Sequence, residues 1–279
     1  MSGNFWKSSH FEQWILEKHD LLRERGEDLK ILSEEEHQKI MIFFVNFIQA
    51  IGQDANLKIR MQAIATACVY FRRFYARRSF RDVDPFLLAP TCILLASKVE
   101  ESGMVSLTKL ISSVQSALKK WPYLNQDLMI RQPLLQEAEF CMLEIMDCCL
   151  IVYHPYRPLN QIIQDMKSTG GVLNTDQLYQ DAWRVCNDSL RSDVALLYAP
   201  HQIAIASLIV ASILNGRDKE KELKNWFSEL AVDYEKIFEI EQMIFNMYRV
   251  WKSFDESDQL LGLLAKLPRP NGQIQQKRE

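Results

Sequence analysis

Asp84-Pro85-Phe86-Leu87-Leu88-Ala89-Pro90-Thr91-Cys92-Ile93-Leu94-Leu95-Ala96-Ser97-Lys98-Val99-Glu100-Glu101 is apolar on every side for more than three helical turns and then turns abruptly to charge. A helix that is greasy all round must be enclosed by protein or by lipid. This run is too short, and too closely flanked by charge, to span a bilayer, so other helices are expected to wrap it. Its charged end is then left to work at a surface. Asp84 can cap the helix, with Pro85 as its first residue, where a missing N–H costs nothing. Pro90 lies deeper and could kink it.

The chain carries this pattern twice. Ala89, Pro90, Ile93, Ala96 and Ser97 recur as Ala199, Pro200, Ile203, Ala206 and Ser207, each 110 positions further on. Identities at one constant register predict two copies of a unit built around a buried helix. The copies part at Lys98, whose counterpart is Leu208, and at Glu100 and Glu101, whose counterparts are Val210 and Ala211. The first copy therefore ends its core helix in charge where the second stays apolar.

Outward from these two helices the apolar spacing is helical throughout, and no stretch alternates as a strand would. Residues 1–32 read as an N-terminal helix, with a capping box at Ser9 and Glu12, and a connector. Residues 33–153 form the first repeat. Ser33 with Glu36 caps a helix carrying Ile40, Phe43, Phe44, Phe47, Ile48 and Ile51; a helix over 57–75 turns Met61, Ile64, Ala65, Cys68, Phe71 and Phe74 inward. Leu107, Leu110, Ile111, Val114 and Leu118 mark a fourth helix after the core helix, and Pro133 opens a fifth with Leu134, Ala138, Cys141, Met142 and Ile145 on one face. Pro155-Tyr156-Arg157-Pro158 reads as a linker. Residues 154–252 repeat the order, from a helix after Pro158 and one capped by Thr175 to a last helix with Ile237, Ile240, Ile244, Met247, Tyr248 and Trp251. Residues 253–279 are expected to be a short helix starting at Ser253, then a disordered tail from Pro268.

Composition narrows the classes of function. With 279 residues, 48% of them hydrophobic, the chain can bury a sizeable core, and a formal net charge of −3 gives no global pull to nucleic acid or membrane. The start, Met-Ser-Gly-Asn-Phe-Trp-Lys, has neither a signal peptide's apolar core nor a glycine at position 2, so a cytosolic or nuclear protein is expected. Six cysteines fall in apolar helical runs without metal-ligand spacing, and buried free thiols are expected of them. Nine glycines, with no nucleotide cradle and no acidic metal cluster, argue against an enzyme and predict no cofactor and no metal.

Two five-helix units around Ala-Pro core helices, the first closed by Leu95-Ala96-Ser97-Lys98-Val99-Glu100-Glu101, resemble the cyclin family from about Lys39 to Trp251. Pro155-Tyr156-Arg157-Pro158 is similar to the linker of the transcriptional cyclins. Asn4-Phe5-Trp6 with Trp14-Ile15-Leu16 is similar to the start of the subgroup whose kinase belongs to the Mediator complex. The resemblance implies an all-α fold of two tandem five-helix cyclin boxes with an extra N-terminal and a short C-terminal helix. It also implies a non-catalytic nuclear subunit that activates the cyclin-dependent kinase of the Mediator kinase module, meets other subunits of that module, and so regulates transcription by RNA polymerase II. One departure is clear: where cell-cycle cyclins dock substrates through Met-Arg-Ala-Ile-Leu, this chain reads Lys39-Ile40-Met41-Ile42-Phe43, and docking of that kind is not expected.

Lys98 follows a wholly apolar run, and Glu139 has Leu135, Met142 and Met146 around it at helical spacings, so both charges are expected to be partly sheltered. Spacing alone is equally met by an internal ion pair that merely ends the core. The resemblance implies instead that Lys98 and Glu139, with Glu101 beside them, bind the kinase near its αC helix, whose placement sets the ion pair needed for phosphoryl transfer. It further implies a groove between the repeats lined by Arg60, Glu100, Trp183 and Asp188. A rival class of function is nucleic-acid binding, as in a cyclin-fold basal transcription factor, through Arg72, Arg73, Arg77, Arg78 and Arg81 interleaved with Phe74, Tyr75 and Phe80. The bland alternative is a solvated helix end whose cations complement the dipole, and direct contact with nucleic acid is not expected.

Overall fold

The computed structural model describes residues 3–124, 130–169 and 171–268, and among them there is no strand. In chain order the α-helices are α1 (Ser9–Trp14), α2 (Lys18–Glu24), α3 (Gly26–Leu29), α4 (Glu34–Gly52), α5 (Met61–Tyr75), α6 (Pro85–Val99), α7 (Leu107–Leu118) and α8 (Gln132–Ile145). They continue as α9 (Tyr156–Thr169), α10 (Thr175–Ser189), α11 (Val194–Leu197), α12 (Pro200–Leu214), α13 (Lys221–Ser228), α14 (Tyr234–Ser253) and α15 (Glu256–Lys266). The chain divides into two compact units, one of Leu16–Val152 with 250–268, the other of 3–15 with Tyr153–Arg249. The expected N-terminal segment 1–32 thus splits, its first helix grouping with the second repeat, while α15 groups with the first.

In the first-repeat unit α6 is the hub, packed against α4, α5, α7 and α8. Every residue from Leu88 to Ser97 is buried, as a helix apolar on all sides requires. Asp84 caps it by accepting the amide N–H of Phe86 at 2.8 Å, and Pro85 is its first residue. Around it, α4 opens with a complete Ser33–Glu36 capping box and buries Ile40, Met41, Ile42 and Phe43, so the segment that stands where cell-cycle cyclins dock substrates is interior. The helix expected from residue 57 begins at Met61, because Lys58 adopts a positive φ of 48° and the Ile59 amide turns back to the Gly52 carbonyl. α15 is fastened to this unit by Glu256, whose carboxylate accepts Trp121 Nε1–H at 2.6 Å and Asn46 Nδ2–H at 3.0 Å. Its cap is Asp255 rather than Ser253.

In the second-repeat unit α12 is the hub, packed on α9, α10 and α11. The proposed linker is not a loop: α9 starts at Tyr156 and takes Pro158 into its first turn, where a proline is tolerated. The α10 cap is Asn174 in the left-handed region (φ 51°) in place of Thr175. The N-terminal segment belongs here by its aromatic rings: Phe5 packs edge-on against Trp6, His10, Phe11 and Tyr153, and Trp6 meets His201. Ser8, not Ser9, caps α1. The expected tail beyond Pro268 lies outside the described residues.

Candidate kinase-binding site

Lys98 and Glu139 come together. The Lys98 ammonium donates to both carboxylate oxygens of Glu139, at 2.6 and 2.7 Å, joining the last turn of α6 to the middle of α8. A cation in the last turn also offsets the carbonyl end of the helix. The pair is lopsided: the Lys98 side chain is 55% exposed and that of Glu139 12%. It is a surface feature with one sheltered member rather than a buried bridge.

α6 then stops in a Schellman turn. Glu101 takes a positive φ of 48°, and the Ser102 amide bonds the Ser97 carbonyl at 3.0 Å. Glu101 is exposed, whereas Glu100 is engaged within the unit, accepting Gln62 Nε2–H at 2.7 Å and the Thr66 hydroxyl at 2.6 Å. Large apolar side chains lie bare in the same unit: Phe140, beside Glu139, is 72% exposed, Ile151 61%, and Met104 fully. The spacing argument missed all three. Phe140 was legible only as the α8 position that falls off the buried line Leu135, Ala138 and Met142.

Of the other proposed groove residues, Trp183 and Asp188 have local partners. Arg60 is exposed at the start of α5. Trp183 is half-buried, its ring stacked on Tyr156 with centroids 4.3 Å apart. Asp188 accepts Arg191 Nη1–H at 3.0 Å and the Tyr248 hydroxyl at 2.9 Å, and burial raises its carboxyl above the usual carboxylate range. Arg60 and Glu100 belong to the first-repeat unit, Trp183 and Asp188 to the second.

The basic patch is corrected. Arg72 and Arg73 are buried, as are Phe74, Tyr75 and Phe80, leaving Arg77, Arg78 and Arg81 exposed. No aromatic ring of the patch is free to stack on a base, so the nucleic-acid reading loses its geometry. Arg73 instead donates Nη1–H to the Cys149 carbonyl at 3.0 Å, and the Tyr70 hydroxyl donates to the Leu150 carbonyl; α5 thereby holds the turn that follows α8. Burial lowers the Arg73 guanidinium to about 10. The thiols are corrected too: Cys68, Cys92 and Cys186 are buried, but Cys141 on α8 is intermediate, and Cys149 is intermediate and Cys148 exposed because α8 ends at Ile145 and Asp147 and Cys148 take positive φ. Among the described residues no group of His, Cys, Asp or Glu could hold a metal ion, and no helix is long and apolar enough to cross a membrane.

The fold is that of a cyclin. The family model described as the cyclin N-terminal domain matches residues 11–150 and that described as the cyclin C-terminal domain matches 154–249; the chain belongs to the cyclin family. Over nearly its whole length it is similar to proteins named Cyclin-C: 54% identical over 272 residues to that of Drosophila melanogaster, covering 97% of this chain and 98% of that one. To that of Rattus norvegicus it is 51% identical over 272 residues, covering 97% and 92%. Among solved structures, a chain of the yeast TFIIK (Kin28/Ccl1/Tfb3) complex superposes with a TM-score of 0.68 at 25% identity, covering 86% of this chain and 100% of that one. A chain of the CAK complex of Chaetomium thermophilum shares the fold, with a TM-score of 0.73 at 18% identity and coverage of 94% and 87%.

Proposed function

We propose that this cyclin is the non-catalytic regulatory subunit of a cyclin-dependent kinase, that this kinase is the one of the Mediator complex, and that the subunit acts in the nucleus on transcription by RNA polymerase II, in company with other subunits of the kinase module. The observation that carries the reading is the outward-facing Lys98–Glu139 pair at the end of the core helix, set beside exposed Phe140. A surface ion pair adds little to the stability of the free chain, so its chemistry suits an interface better than a core. The kinship with proteins named Cyclin-C and the likeness to a chain of the yeast TFIIK (Kin28/Ccl1/Tfb3) complex support it. Lys98, Glu139 and Glu101 are the polar contacts of this interface, and Phe140, Met104 and Ile151 supply the apolar area that anchors it.

The test is reconstitution with the cyclin-dependent kinase of the Mediator complex. The wild-type chain should bind it and raise its phosphorylation of an RNA polymerase II C-terminal repeat peptide, while showing no turnover alone. Glu139→Ala should weaken binding by about tenfold or more, with the melting temperature of the free chain close to wild type. Wild-type affinity in that variant, or a kinase equally active without the chain, overturns the reading.

A further inference from the structure

The second repeat keeps a carboxylate where the first has its ion pair. On α8 the buried line is Leu135, Ala138 and Met142; on α14 it is Ile237, Ile240 and Ile244, the same spacing, and this register sets Glu241 against Glu139. The lysine has no equivalent, because the counterpart of Lys98 is Leu208, which is fully buried. Glu241 is half-buried, and among the described residues no cation or hydrogen-bond donor meets it. Burial alone raises its carboxyl to about 7, and no charged neighbour contributes. The nearby charges on its own helix are directed elsewhere: Glu239 accepts the Tyr198 hydroxyl, Arg249 bonds Asn246, and Lys236 faces Asp233.

Its helix face carries two aromatic side chains. Phe238, three positions before, is 59% exposed, and Phe245, four positions after, is half-buried; residues at these spacings share one helix face. A carboxylate that shares a helix face with two phenyl side chains matches one side chain in particular. The arginine guanidinium is planar, offers paired N–H donors to both oxygens of a carboxylate, and lies favourably on an aromatic face. A lysine ammonium is strongly hydrated and gains less from the rings.

We propose that Glu241, flanked by Phe238 and Phe245 on α14, is a docking site for an arginine side chain presented by a partner protein. The site completes in trans the ion pair that the first repeat makes internally between Lys98 and Glu139. It belongs to the second-repeat unit and does not depend on the kinase-binding reading.

The experiment titrates the isotope-labelled full chain at pH 8 with acetyl-arginine N-methylamide, and with the isosteric, uncharged acetyl-citrulline N-methylamide, following the Phe238, Glu241 and Phe245 resonances. Saturable shifts confined to α14 are expected with the arginine probe, about tenfold weaker binding with citrulline, and loss of binding in Glu241→Gln. Glu241→Gln removes a lone half-buried charge, so it should fold at least as well as the wild type, and thermal unfolding checks this. Arginine binding should also weaken as pH falls below about 7, when the carboxyl takes up its proton. Equal binding of the two probes, binding unchanged in Glu241→Gln, or no saturable shift overturns the proposal. A dimer of the chain that dissociates in Glu241→Gln would place a second copy at the site and overturn the choice of partner.

Discussion

The two core helices, α6 and α12, are each fifteen residues long, yet they are not the same helix in two places. The shared motif lies 110 positions apart, whereas the helices themselves, Pro85–Val99 and Pro200–Leu214, start 115 apart. Pro90 therefore sits inside α6 while its counterpart Pro200 opens α12, and the stretch before Pro200 breaks off as the separate turn α11, followed by extended Tyr198. At the other end the slide matters more. Lys98 is one residue from the end of α6 and reaches the surface, whereas Leu208 lies in the middle of α12 and is buried. The turns differ as well: α6 stops on Glu101 in the left-handed region, α12 on Gly216 in the same conformation, each closed by an amide bonding a serine carbonyl, Ser102 to Ser97 and Arg217 to Ser212. The first repeat closes its core helix on a left-handed glutamate where the second uses a glycine, which takes that conformation without strain.

The largest effect expected on stability concerns the arginine inside the first repeat. α5 buries Arg73 and spends its Nη1–H on the Cys149 carbonyl, whereas the interior of α10 is Ala182, Val185 and Cys186. Arg73→Leu should cost about 3 kcal/mol in chemical denaturation, since it deletes a charge-assisted bond and strands a carbonyl. A loss below about 1 kcal/mol would mean that the turn after α8 is held without it.

Next comes the carboxylate of the second repeat. Glu241 has its folded value raised to about 7 against an ordinary value of 4.5. The folded chain thus holds its proton longer than the unfolded chain. Any stability tied to that proton is complete below about pH 4.5 and lost as pH rises through about 7. Glu241→Gln should match wild type at pH 4 and exceed it by about 2 kcal/mol at pH 8, less than the full shift implies because water still reaches the group. Equal stability at both pH values would mean that Glu241 is hydrated or paired.

A smaller effect tests the strained turn. Glu101→Gly gives α6 the ending that α12 already has, and relieving a left-handed non-glycine residue should raise free-chain stability by about 1 kcal/mol. Kinase affinity should fall in the same variant if the Glu101 carboxylate is used at the interface. Higher stability with unchanged affinity would leave strain without function at this position.

Much of this architecture was legible because helices announce themselves by period and because a run apolar on all sides, Leu87 to Ser97, can only be a hub. Lys98 and Glu139 were found by spacing and resemblance, and their meeting needed the fold. What stayed hidden depended on distant partners. Arg72 and Arg73 were read as surface cations by their charge, although the carbonyl that accepts from Arg73 is 76 positions away in the chain. The slide of α12 was masked by the identities of the motif itself, which align residues without aligning helix ends. Glu241 was passed over because an amphipathic pattern shows which residues face inward and is silent on whether a flanking carboxylate finds a cation.

The smallest effect is the most discriminating, because it turns one repeat into the other. Lys98→Leu removes the exposed member of the pair and leaves Glu139, whose side chain is 12% exposed, without a cation. That is the condition Glu241 already endures on α14. Exposed ion pairs contribute between about 0 and 1 kcal/mol, so the free chain should lose less than about 1 kcal/mol. Adding Glu139→Gln to Lys98→Leu removes the stranded carboxylate and should recover that loss. Kinase affinity, by contrast, should fall in the single and the double variant alike, because both lack the ammonium and the pair that the partner would meet. Thermal unfolding and one affinity measurement per variant separate the two roles of Lys98. A loss of several kcal/mol, with affinity intact, would make the pair a strut of the first repeat and leave its exposed end without a partner to explain it.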